Sequence, residues 1–218
     1  METGRQPCIV WDFDGTLGDT MPMIVETARR VLIGFGLPED ELGDLRRLVG
    51  PPFPQAFSMV YGLSEADAAE VTRRYREIYG TYGPEAWPAF PGIPELLADL
   101  AEDGRTLAVA SSKRTPLLRR CVGEAGIADQ FAIVMGKDSD GRVSKADTIK
   151  AAVKAAGFSL DEAVMVGDRH FDVEAAHEAG IPCIGVYYGD TAPAGELEKA
   201  GAASIAHTVD ELRRLFLA

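Results

Sequence analysis

Cys8-Ile9-Val10-Trp11-Asp12-Phe13-Asp14-Gly15-Thr16-Leu17-Gly18-Asp19-Thr20 is the stretch that decides the fold. Four apolar residues between Pro7 and Asp12 have the length and hydrophobicity of a short buried strand, and the chain turns polar where that strand should end. Two carboxylates therefore stand at a strand's carboxyl end. In an open α/β sheet ligands bind at that rim, which places Asp12 and Asp14 for chemistry provided the rest of the chain supplies such a sheet. Gly15 lets the backbone turn steeply, and Thr16 is small enough to leave the rim open.

Downstream, Ile24, Val25, Ala28, Val31 and Leu32 recur at helical spacing and predict a helix from Met21 to Leu37, ended by Gly34 and Gly36. Leu42, Leu45, Leu48 and Val49 predict a second helix, stopped by Gly50-Pro51-Pro52. Residues 53–61 and 64–82 predict two more, the last with Ser64 as N-cap and Asp67 completing an imperfect capping box. Nothing between residues 18 and 87 has the pattern of a strand. Pro84, Pro88, Pro91 and Pro94 around Trp87 and Phe90 mark a stiff return before a helix at 93–102.

From there strand and helix alternate. Strands are predicted at 106–110, 131–135, 163–166, 183–187 and 204–206, with helices at 115–125, 144–156, 172–179, 194–200 and 209–216. Short, continuously apolar strands separated by helices predict a parallel sheet covered on both faces. The expected fold is a doubly wound α/β core, residues 1–17 and 88–218, with an all-helical block, residues 18–87, inserted after the first strand.

The 218 residues carry 34 acidic against 22 basic side chains, a formal charge of -12, and are 46% hydrophobic. That charge opposes binding to nucleic acid or an anionic membrane surface. A small anionic substrate stays open if a metal or a few cations reverse the sign locally. Cys8, Cys121 and Cys183 are odd in number, with no CxxC, which predicts three buried thiols in a reducing cytoplasm. Arg5, Gln6 and Pro7 precede only four apolar residues, too few for a signal-peptide core. No apolar run approaches the ~18 residues of a membrane span.

Several predicted strands end in polar groups at one rim. The first ends in Asp12-Phe13-Asp14-Gly15-Thr16, the second in Ser111-Ser112-Lys113, and the strand at 163–166 in Gly167-Asp168-Arg169-His170-Phe171-Asp172. Lys145 opens a helix after a turn at Gly141. An acid pair, a hydroxyl, a lysine and a second acid pair suit phosphoryl transfer, in which positioning and charge neutralisation supply most of the catalysis.

This order of motifs resembles the haloacid dehalogenase-like (HAD) hydrolase superfamily from end to end, and the helical insert is similar to that superfamily's small helical cap. Gly50-Pro51-Pro52 and Pro91-Gly92-Ile93-Pro94-Glu95-Leu96 are similar to segments of its phosphoglycolate phosphatase-like subgroup. The resemblance implies that Asp12 is the nucleophile that becomes an aspartyl phosphate. It makes Asp14 the acid that protonates the leaving alcohol and then activates water. Mg²⁺ would be held by an Asp12 oxygen, the Asp14 backbone carbonyl and Asp168, with Asp172 ligating or supporting. Ser111 and the Ser112 amide would bind phosphoryl oxygens, and Lys145 would neutralise charge. Asp14 favours an ester over a halide as leaving group, because halide departs without a proton.

In this chain Ala146 follows Lys145 where the family has proline, so Lys113 and Lys137 also stand as candidates for the lysine role. Ser111 replaces the commoner threonine and keeps the hydroxyl. The expected enzyme is a cytoplasmic Mg²⁺-dependent phosphatase of a small phosphorylated metabolite. Phosphoglycolate is the substrate the subgroup suggests. A 5'-nucleotidase, a pyrophosphatase, a β-phosphoglucomutase-type mutase and, outside enzymes, a receiver-like phosphorylation switch are the alternatives. Asp172 also suits a helix cap. His170 is expected as an exposed loop residue because hard Mg²⁺ prefers oxygen, the arginine pairs as solvated faces, and Trp11 as packed under a covering helix.

Overall fold

The computed structural model describes residues 4–138 and 144–218. The predicted turn at Gly141 lies outside the described residues. Strands β1 (Cys8–Trp11), β2 (Thr106–Arg114), β3 (Ile133–Lys137), β4 (Ala163–Gly167), β5 (Cys183–Val186) and β6 (Ser204–Ala206) form one parallel sheet in the order β3-β2-β1-β4-β5-β6. Cys8 is in register with Thr106 on one side and Ala163 on the other, and Trp11 with Val109 and Val166. The chain builds outward from β1 to β3, then restarts at β4 and builds the other way. The direction thus reverses beside β1, the crevice where doubly wound sheets bind ligands.

Alternate residues of each strand go to opposite faces. Ile9, Trp11, Leu107, Val109, Val164 and Val166 join one buried cluster with α4 (Ile93–Glu102), α5 (Thr115–Glu124) and α9 (Val209–Leu217). Cys8, Val10, Ala108, Ala110, Ala163 and Met165 join the other with α6 (Lys145–Ala155), α7 (His170–Ala179) and α8 (Glu196–Ala200). Both faces are covered, which is why these strands read as unbroken apolar runs. Trp11 packs on Phe216 of α9, ring centroids 6.2 Å apart. All three cysteines are free and buried. Among the described residues no helix is long and apolar enough to cross a membrane.

The stretch between β1 and β2 contains α1 (Met21–Phe35), α2 (Gln55–Tyr61) and α3 (Glu65–Tyr79), and its apolar side chains, among them Ile24, Phe57, Tyr75 and Tyr79, continue the first cluster past Phe13 and Leu17. The second helix expected over Leu42, Leu45, Leu48 and Val49 is instead two single turns, Glu39–Glu41 and Leu45–Leu48. Gly43 between them adopts φ 58°, which ends a right-handed helix, and the Asp44 side chain restarts the chain by accepting from the Arg46 amide at 3.0 Å. Half of the Ser64 capping box forms: Ser64 Oγ accepts from the Asp67 amide at 3.1 Å, while the Asp67 carboxylate takes the Ser64 hydroxyl rather than its amide.

Departure and return run side by side. The Asp19 amide donates to the Pro88 carbonyl at 2.8 Å and the Phe90 amide to the Leu17 carbonyl at 3.0 Å. Trp87 is fully buried there, donating Nε1 to Glu124 at 2.9 Å beneath the Arg120 guanidinium. Arg120 also donates to the Gly80 and Tyr82 carbonyls, so this member of an arginine pair anchors the return segment and is not a solvated face.

Candidate active site

Asp12 leaves β1 next to β4, its amide donating to the Val166 carbonyl at 2.9 Å. Gly15 comes three residues later at φ 77°, and a Cβ there would overlap the Asp168 carboxylate. Asp168 succeeds Gly167 at the end of β4, and Gly167 in turn packs against the Asp172 side chain with no room for a Cβ. The result is a close set of three buried acids: Asp12, Asp168 and Asp172 each offer an oxygen within 4.8 Å of the others.

Lys145 is the first residue of α6, whose start is fixed by a full capping box between Ser144 and Asp147. Its Nζ lies 3.0 Å from Asp12 Oδ1 and also pairs with Asp172 Oδ1. Of the three candidate lysines it is Lys145 that contacts Asp12. Lys113 pairs with Asp14 Oδ1 at 3.1 Å and sits 4.8 Å from the centroid of the Tyr79 ring. Each acid of the first pair therefore has its own ammonium.

Ser111, Ser112 and Lys113 lie within β2, not beyond it as the sequence suggested. The strand continues to Arg114, which pairs with Lys137, and the register shifts between Ala110 and Arg114. That irregularity turns Ser111 and Ser112 into the same cavity as Asp12 and Asp14. Such bulges re-aim side chains next to sites.

Burial pushes the Asp12 carboxyl up to about 6, against the pull of Lys145 and with Asp172 and Asp14 pushing the same way. Burial, with Asp172 and Asp12 beside it, holds Asp168 well above the usual carboxylate range. Burial lowers the pKa of Lys145, but Asp12 and Asp172 more than offset this and hold it above the ordinary lysine value. The cluster is short of positive charge.

Asp168 is held by hydroxyls on both oxygens, Thr16 Oγ1 donating to Oδ1 at 3.0 Å and Thr191 Oγ1 to Oδ2. Tyr188 donates to the Thr16 carbonyl at 2.7 Å and steadies the turn. Sequence reading gave Thr16 only a space-saving role and missed Thr191, which lies past β5 in a segment with no motif. His170 is the first residue of α7, half-buried with Nδ1 2.9 Å from Glu196, and not an exposed loop residue. Above the acids is a cavity of about 320 Å³, walled by Ile24, Leu48, Val49, Phe53, Tyr75 and Tyr79 from the helical block.

The sequence profile of the haloacid dehalogenase-like hydrolases matches residues 9–186. The chain belongs to this family. This hydrolase is 36% identical over 186 residues to a 5'-nucleotidase of Pseudomonas aeruginosa, covering 85% of this chain and 84% of the relative. It is 38% identical over 215 residues to the tyrosine-protein kinase PtkA of Mycobacterium tuberculosis, covering 96% and 72%. Proteins named phosphoglycolate phosphatase are also among its relatives, at 29% to 33% identity. Its fold superposes on the crystal structure of a predicted phosphatase from Clostridium acetobutylicum with a TM-score of 0.90 at 32% identity, covering 98% and 99% of the two chains.

The hydrolase's acid cluster fits a hard divalent cation. Its donors are all oxygen, and of the three carboxylates Lys145 pairs with two, Asp12 and Asp172, leaving Asp168 with hydroxyl partners alone. Oδ1 of Asp12 and of Asp172 are closed off from solvent with Lys145 as counter-charge.

Proposed function

We propose that this hydrolase is a phosphomonoesterase acting on a small phosphorylated metabolite through an aspartyl phosphate on Asp12. The observation that carries the reading is that Asp12 and Asp14 line one cavity, Asp12 paired with Lys145 and Asp14 with Lys113, while Asp168 and Asp172 cluster with Asp12. Asp12 attacks phosphorus, forming the new P–O bond as the ester P–O bond breaks. Asp14 gives its proton to the departing alcohol oxygen and then takes one from the water that releases phosphate. The Ser111 hydroxyl and Ser112 amide donate to the phosphoryl oxygens, and Lys145 offsets the charge gathering around Asp12. Asp12, the Asp14 carbonyl and Asp168, with Asp172 ligating or supporting, would hold Mg²⁺, which would supply the positive charge a carboxylate needs to approach a phosphate.

Residues 18–87 are the cap and 1–17 with 88–218 the catalytic core in this reading. The cavity volume supports a metabolite rather than a phosphoprotein, since it lies at the small end of ligand pockets. Buried free thiols support a cytoplasmic location. The relatives' names support phosphoglycolate and 5'-nucleotides as substrates, with the nucleotidase the more similar of the two at 36% identity against 33%.

A panel of phosphorylated metabolites with Mg²⁺ tests this. Phosphate release that stops with EDTA and disappears in Asp12→Asn is the expected result. A stable phosphoprotein without phosphate release, or transfer of the phosphoryl group to a tyrosine peptide in preference to water, would replace the hydrolase reading with a switch or a kinase.

A further inference from the structure

Arg169 directly succeeds Asp168 on the turn between β4 and α7, and the phosphoryl-transfer chemistry gives it no task. Only 6% of it is exposed. Burying a guanidinium is costly unless its donors are matched, and here the partners come from two places. Glu196, the first residue of α8, accepts from Nε at 2.8 Å and from Nη2 at 3.5 Å. Nη1 donates to the Val49 carbonyl of the helical block.

The residue after Val49 lies flush against the same side chain. Gly50 adopts φ 104°, and a Cβ there would come 2.9 Å from Arg169 Cγ and 3.3 Å from the Phe171 ring. Leu48, Val49, Gly50, Pro51, Pro52 and Phe53 wall the active-site cavity. Arg169 also reaches the acids through its backbone: its amide donates to Asp172 Oδ2 at 3.0 Å, and Asp172 pairs with Lys145, which meets Asp12. A second tie from this segment, Arg46 to Asp190 at 3.6 Å, is between exposed side chains and contributes little.

We propose that Arg169 is a positioning residue, clamping the 48–53 wall onto the loop that carries Asp168 so that the wall grips the leaving group of a substrate while phosphorus sits over Asp12. Glu196 holds the guanidinium in the orientation that reaches Val49. Contacts to the non-reacting part of a substrate are what orient the reacting part. A wall set by a backbone carbonyl, with no side chain at residue 50 to prop it away, is firm enough to supply them. The kinetic arm of the test rests on the phosphomonoesterase reading; the exchange arm does not.

The variants are Glu196→Gln, Arg169→Lys and Arg169→Met in the full chain. Hydrogen exchange of the 44–53 amides should accelerate about fivefold or more in Glu196→Gln while β4 amides are unchanged. With Mg²⁺, KM for p-nitrophenyl phosphate, whose ring is the part the wall would grip, should rise about tenfold in Glu196→Gln with kcat within about threefold, while acetyl phosphate, which has no such ring, stays within about twofold. Arg169→Lys should recover part of what Arg169→Met loses. Unchanged exchange at 44–53 overturns the clamp, as does an equal loss on both substrates, which would put Arg169's effect in the acid cluster alone. If the wild-type protein hydrolyses neither compound, the exchange result alone decides the clamp, and the metabolite panel decides the phosphatase reading separately.

Discussion

Lys145 Nζ lies 3.0 Å from Asp12 Oδ1, delivered there by the first turn of a capped helix and not by a flexible loop. The ammonium is buried against two carboxylates, Asp12 and Asp172, so it balances charge that solvent cannot reach. Replacing it with a neutral side chain of similar length isolates that contribution. Lys145→Met should lower kcat/KM about a hundredfold to a thousandfold in a phosphatase assay, the scale for losing one preorganised stabilising group.

Asp12 also sets a pH dependence of stability without metal. Its carboxyl titrates near 3.8 when unfolded and about 6 when folded, so the folded state binds the extra proton between those values. Stability therefore falls as pH rises from about 4 to about 6, because ionisation is disfavoured in the folded protein, and the cost is fully present above pH 6. In EDTA the melting temperature of Asp12→Asn should therefore gain on that of the wild type as pH rises from about 4 to about 7, while the loss of the Lys145 pairing adds an offset that does not vary over this range.

Thr191 points its hydroxyl at Asp168 from the far side of the turn. Thr191→Val keeps the shape and removes the donor. Mg²⁺ affinity by calorimetry should weaken about tenfold to a hundredfold, as for other groups that orient a ligand, with little change in the fold by circular dichroism.

Gly15 is required twice over, by φ 77° and by its contact with the Asp168 carboxylate. Gly15→Ala should lose both activity and more than about 1 kcal/mol of stability in urea unfolding. Gly36, at φ 111° with open space around it, should show the backbone cost alone in Gly36→Ala and keep its activity.

The sheet and the acids at its rim were legible because they depend on local pattern. Ile9 to Trp11 and Val164 to Val166 have the continuous apolarity of two-sided strands, and the polar residues at their carboxyl ends, Asp12 and Asp168, must then face the rim. Ser111 and Ser112 were found at that rim although the bulge that aims them is set by pairing between Arg114 and Lys137, a non-local event. The Leu42–Val49 helix failed because Gly43 reverses φ within an apolar pattern that otherwise fits. Arg169 and Thr191 escaped because their partners, Val49, Glu196 and Asp168, are distant in sequence or carry no motif with them. Lys113 was visible as a lysine but not as the partner of Asp14, since spacing alone does not say which ammonium meets which acid.

Covalent capture of phosphorus by Asp12 is the claim on which the rest depends. Rapid acid quench during turnover with Mg²⁺, then peptide mass mapping, measures it directly. The predicted result is one phosphoryl group on the peptide containing Asp12, absent in Asp12→Asn. A phosphoryl group trapped on any other residue, or full turnover by Asp12→Asn, would contradict it.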